Sequence, residues 1–103
     1  MPCTIQIVYW RDIPSQVKAR AGRTRVSRPL TERFEKAIDA AAMRAGATAT
    51  DAYLAEWRNG EPMERATEPE AAADTLAAEL EAAYPAERLR ALIAAEGREP
   101  PVE

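Results

Sequence analysis

With 103 residues, the chain has room for one domain with a single modest core and not for two. Histidine is absent and cysteine occurs once, at Cys3, which excludes Ser-His-Asp and Cys-His catalysis, zinc ligation by paired cysteines and an internal disulfide. The net charge of −3 hides a division: residues 1–29 hold six basic residues against Asp12 alone, a balance of +5, while the remainder holds eight basic against sixteen acidic, −8.

Halves of opposite sign neutralise each other on folding or attract partners of opposite charge. No run approaches the roughly 20 apolar residues of a membrane helix. No signal-peptide pattern opens the chain, and with a lone cysteine the expected location is a reducing cytoplasm. Much of the 47% apolar content is alanine, so burial must come from larger residues: Ile5, Ile7, Val8, Tyr9, Trp10, Val17, Phe34, Ile38, Tyr53, Leu54, Trp57, Leu76, Leu80, Leu89, Leu92 and Ile93. Fully burying each such side chain contributes about 1.5–3 kcal/mol.

In chain order, Thr4–Trp10 is β-branched and aromatic, with apolar residues on both faces, as in a central strand. Arg11 to Ser15 reads as a turn around Asp12 and Pro14. Gln16–Ala21 alternates and predicts a second strand paired with the first. Gly22–Pro29 reads as a basic loop, although Arg23-Thr24-Arg25-Val26 would also extend the strand. A helix is expected over 31–45, capped by Thr31 and stopped by Gly46, with Phe34, Ala37, Ile38 and Ala41 on its inner stripe. Residues 51–65 have two readings. Alternation of Tyr53, Ala55 and Trp57 into Asn59-Gly60, returning through Met63, favours a hairpin; Thr50 ahead of Asp51–Arg58 would favour a helix. Thr67-Glu68-Pro69-Glu70 reads as a capping box that opens a second long helix. Pro85 breaks that helix, and a third runs over 86–96 to Gly97. The expected fold is α+β: a small antiparallel sheet with about three helices on one face, over a single domain of residues 1–97 and a disordered tail of 98–103.

Chemistry-bearing motifs are few. The four glycines sit at element ends, so no phosphate-cradling loop is present, and pairs such as Glu79/Glu81 fit a solvated acidic face. Catalysis by this chain alone, a cofactor and a metal are therefore not expected. The candidates are for binding. Lys18, Arg20, Arg23, Arg25 and Arg28 form a basic row, preceded by Trp10, Arg11, Asp12 and Gln16. Trp57-Arg58 repeats the Trp10-Arg11 pair, and Trp and Arg are frequent anchors of protein interfaces. These eleven residues are the predicted partner-binding set, with an acidic protein surface, or the domain's own acidic helices, as the expected contact of the basic row. Nucleic acid is the alternative, with the row on phosphates and a tryptophan on bases; against it stand the acidic total and the lack of aromatics inside the row.

The stretches YWRDIPSQV and DAYLAEWRNGEP, with the basic stretch between them and the alanine-rich helical end, resemble the bacterial virulence factor domain family. The resemblance covers roughly residues 4–95 and marks a stand-alone member. In some relatives, of the conserved virulence factor C type, a similar domain ends a longer helical-repeat protein. The family's name implies a phenotype and no reaction, and no catalytic residues carry over. Stand-alone relatives encoded beside folate one-carbon and corrinoid methyltransfer enzymes would imply a further alternative. In it the chain is an accessory subunit whose arginines address an anionic substrate such as a folate carboxylate tail.

Overall fold

A computed structural model describes residues 2–99. It is built around strand β1 (Cys3–Trp10), which has neighbours on both edges. On one side β2 (Ile13–Ala21) runs antiparallel to it and is itself paired with β3 (Thr24–Pro29). On the other side β1 carries two short antiparallel strands end to end. Of these, β4 (Trp57–Asn59) pairs with Val8–Trp10, and β5 (Met63–Arg65) pairs with Cys3–Ile5. The class is the expected α+β with an antiparallel sheet. Its helices are α1 (Glu32–Ala45), the five-residue α2 (Thr50–Leu54), α3 (Pro69–Ala83) and α4 (Ala86–Ala94), four among the described residues where about three were expected.

Residues directly opposite one another in neighbouring strands share a face. Ile5 faces Ala19, which in turn faces Val26, and Ile7 faces Val17, so these residues make the inner face. Helix α3 lies across β1, β2 and β3, and α1 packs against β2 and α4. Ala72, Ala73, Leu76 and Leu80 from α3 join Phe34, Ala37, Ile38 and Ala41 from α1 and Leu89 and Leu92 from α4 in one core. The alanines let helix and sheet approach closely; the leucines and aromatics supply the buried area. Ile13, read as part of a turn, is fully buried, because the turn is only Arg11-Asp12 and the strand resumes at once. Ser15 takes up the register shift opposite Val8/Tyr9, next to Pro14, whose missing N–H is tolerated at such an irregularity. Leu54, expected inside, is 58% exposed on the outer side of α2.

Three further expectations change. Residues 22–29 are not a loop: a two-residue turn with Gly22 at φ +59° leads into a full edge strand. Residues 51–65 are neither one helix nor a hairpin, since β4 and β5 both pair with β1 and not with each other. Gly60 stands between them for lack of room. A Cβ there would lie 2.9 Å from the Tyr9 ring and 3.2 Å from the Ile7 carbonyl oxygen, to which Gly60 N–H donates. The capping box does not form either. Pro69 occupies the first turn of α3 and Glu68 the cap position, with no side-chain cap bond.

Thr31 also fails to cap its own helix and instead ties α1 to α3. Glu81 accepts from the Thr31 N–H (2.7 Å), the Thr31 hydroxyl (2.9 Å) and the Arg33 guanidinium (3.1 Å), while Arg33 also donates to the Glu81 and Tyr84 carbonyls. Partial burial opposes ionisation of Glu81, but those donors outweigh it and hold its carboxyl below the ordinary 4.5. A depressed folded pKa stabilises above the unfolded value and is lost as pH falls through the folded one. Glu81→Gln is therefore expected to cost roughly 1–2 kcal/mol at pH 7. The difference from wild type should close as the pH falls below 4.5 and through the lowered folded value, read by urea unfolding at each pH.

Candidate functional site

The predicted binding residues divide into two groups on the folded molecule. The first gathers around the Arg11-Asp12 turn. Trp10 is fully buried; its Nε1–H donates to the Tyr53 carbonyl (2.9 Å), its ring stacks on Tyr53 with centroids 5.9 Å apart, and Gly97 backs onto its edge. It offers no surface to a partner, because α2 and the end of α4 close over it. The two Trp-Arg pairs do meet. Trp10 lies opposite Trp57, which packs edge-on against Tyr53, and Arg58 Nε donates to the Arg11 carbonyl (2.9 Å).

Arg11 and Asp12 are the hub of a polar clamp. Their N–H groups donate to the carbonyls of Glu56 and Gly97. The Arg11 guanidinium, 12% exposed, reaches the Glu96 carbonyl (2.8 Å) and Glu56 (3.4 Å), with Arg98 on the other Glu56 oxygen. The Asp12 carboxylate takes Arg58 (3.2 Å) on one oxygen and the Glu99 N–H (2.6 Å) on the other, and Glu99 pairs with Arg88. Arg11 holds a left-handed φ of 53°, a conformation that a side chain larger than glycine adopts only when its surroundings enforce it. The clamp thus locks the β1–β2 hairpin to β4 and to the chain beyond α4. Arg98 and Glu99, expected in a disordered tail, are held in it; residues 100–103 lie outside the described residues. Asp12→Ala should cost about 1–2 kcal/mol and speed exchange of the Glu99 amide, with Asp12→Asn keeping part of both; amide hydrogen exchange reads them together.

The second group lies on the sheet face that no helix covers. Thr4, Arg20 and Arg25 form one cross-strand row, Gln6, Lys18 and Ser27 the next, and Val8, Gln16 and Pro29 a third. Lys18, Arg20 and Arg25 are exposed, as is Arg23 in the adjoining turn. Lys18, Arg20 and Arg25, with Asn59, border a shallow concavity of about 280 Å³, which Arg23 does not line. Lys18, Arg20, Arg23 and Arg25 form no ion pair among the described residues, whereas Arg11, Arg28, Arg33, Arg58, Arg88 and Arg98 each do. Arg28 leaves the predicted row, because alternation turns it to the inner face, where Nε bonds Asp74 of α3 at 2.7 Å. Glu64 stands opposite Thr4 at the far end of the first row and lines a neighbouring hollow with Arg20, with no ion pair between them. Arg20 and Arg25 stand directly opposite each other, a like-charged pair that costs stability. No aromatic residue lies in these rows. Among the described residues no cluster of three acidic or cysteine side chains is arranged to hold a metal, and no helix is long and apolar enough to cross a membrane.

A family model described as "Virulence factor" matches residues 8–93, nearly the whole described fold. The chain belongs to the virulence factor family. The match takes in the hairpin side of the clamp but not its Glu96–Glu99 side, all of the basic face except its Thr4 and Gln6 positions, and the helical layer through most of α4. No curated protein and no solved structure matches the chain.

Proposed function

We propose that the domain works by binding, and that the open sheet face engages an acidic protein surface. One observation carries this reading. Among the described residues six of the twelve arginines form ion pairs, and Lys18, Arg20 and Arg25 are collected unpaired on one solvent face, with Arg20 set against Arg25 at a cost to stability. A fold optimised for stability alone would alternate signs there. An acidic partner relieves the repulsion and gains from all three cations, with rapid, salt-sensitive association. Trp57 and Arg58 contribute by holding the turn clamp. A minor subunit of a larger enzyme, including one that handles an anionic one-carbon carrier, would use the same face.

Nucleic acid would also meet these cations. What weighs against it is the lack of an aromatic platform on the face, since single strands are gripped by stacking as well as by charge. Capture of a tagged chain from its own cell, followed by mass spectrometry, separates the readings when wild type is compared with a Lys18→Glu/Arg20→Glu/Arg25→Glu variant. Acidic proteins recovered with wild type and lost with the variant support the reading. Recovery unchanged by the reversal, or retention on single-stranded DNA in place of protein, overturns it.

A further inference from the structure

The basic face ends at a free edge, and the edge has a polarity of its own. Ala21 and Thr24 flank the two-residue turn and so form a hydrogen-bonded pair. Alternation along β3 then turns the backbone groups of Thr24, Val26 and Arg28 toward β2, and those of Arg25, Ser27 and Pro29 away from it. Two observations agree with that phase. The Ser27 carbonyl is taken by the Arg28 guanidinium at 3.1 Å and by no neighbouring strand, and the one residue of β3 without an N–H, Pro29, falls on an outward position. The N–H and carbonyl of Arg25 and the N–H of Ser27 have no partner among the described residues. Side chains at these same two positions lie on the basic face, Arg25 opposite Arg20 and Ser27 opposite Lys18.

We infer that β3 accepts an extended acidic segment of the partner as an additional antiparallel strand, hydrogen-bonded to Arg25 and Ser27, with its alternate carboxylates laid beside Arg25, Arg20 and Lys18. The inference rests on the acidic-partner reading and names how that partner docks. Backbone bonds supply the grip in such strand addition, and the side chains of alternate residues supply the choice. A second copy of this chain is the wrong occupant, because edge-to-edge pairing would bring Arg25 and its neighbours against like charges. The opposite edge of the sheet is less suited, being two three-residue strands interrupted at Gly60-Glu61-Pro62.

The test uses a blocked eight-residue peptide of alternating Glu and Thr, a copy of it N-methylated at every second backbone nitrogen, the wild-type chain and Ser27→Pro. The substitution removes an outward N–H and leaves the β2 ladder intact. The expected result is binding of the plain peptide at low salt, at least tenfold slower exchange of the Arg25 and Ser27 amides, and at least tenfold weaker binding for the N-methylated copy and for Ser27→Pro. Equal binding of the two peptides, or unprotected amides, overturns strand addition and leaves the acidic-partner reading standing. Failure of both peptides to bind wild type at low salt overturns the two together and leaves the edge charges as guards against aggregation.

Discussion

Trp10→Ala is expected to destabilise the domain by roughly 3–5 kcal/mol, the range for removing a large aromatic from a packed core. In a chain whose other core residues are so often alanine, that loss should leave little folded protein at 37 °C. The indole is fully buried, its N–H satisfies the Tyr53 carbonyl, and its edge fills the space that Gly97 leaves open. Truncation would open a cavity between the sheet, α2 and the end of α4, and would leave the Tyr53 carbonyl without its donor. Gly97→Ala attacks the same contact from the other side. Its φ of +89° suits glycine alone, and an added Cβ would lie 2.9 Å from the Trp10 ring. Urea unfolding of both variants should show lower midpoints. Wild-type stability in Trp10→Ala would mean that the tryptophan is not the keystone of this core.

The triple reversal of Lys18, Arg20 and Arg25 to glutamate should do the opposite. Each site is exposed and unpaired, so the fold should change by less than about 0.5 kcal/mol per site. Binding to the acidic partner should fall at least tenfold, about 1.4 kcal/mol or more, with the loss largest at low salt, where charge attraction is least screened. Arg28→Glu serves as the contrast. Its guanidinium bonds Asp74 on α3 and lies off the open face, so reversal there sets two acids together and should lower stability while leaving the binding cations in place. A triple variant that unfolded as readily as Trp10→Ala would show the cations to be structural.

The parts of this fold legible in the sequence are those whose signal is local. The β-branched run Thr4–Trp10 marked the central strand, Gly46 at φ 72° ended α1, and Pro85 separated α3 from α4. Strand β3 was harder to read because one of its faces is solvent. Val26 is its one large apolar residue, and arginines and serine fill most of the rest. Asn59-Gly60 carried a hairpin signal for a different physical reason, the close approach of Gly60 to Tyr9. Trp10 looked like an interface anchor because it sits beside a polar turn. Its burial is decided by Tyr53, 43 residues away, and by Gly97 near the far end of the chain, which no local pattern reports. For the site, the basic row was visible as composition. Its sorting into exposed Lys18, Arg20 and Arg25 and inward Arg28 needed the phase of β3.

The central claim is that the charge on the open face is held there for a partner and against the interest of the fold. Arg20→Thr/Arg25→Thr tests it most directly, with unfolding free energy and binding to the acidic Glu-Thr peptide measured on the same preparation. Removing the opposed guanidinium groups and substituting strand-favouring threonines should raise stability by about 0.2–1 kcal/mol while weakening binding at least tenfold. A variant that lost stability and kept its affinity would contradict the claim.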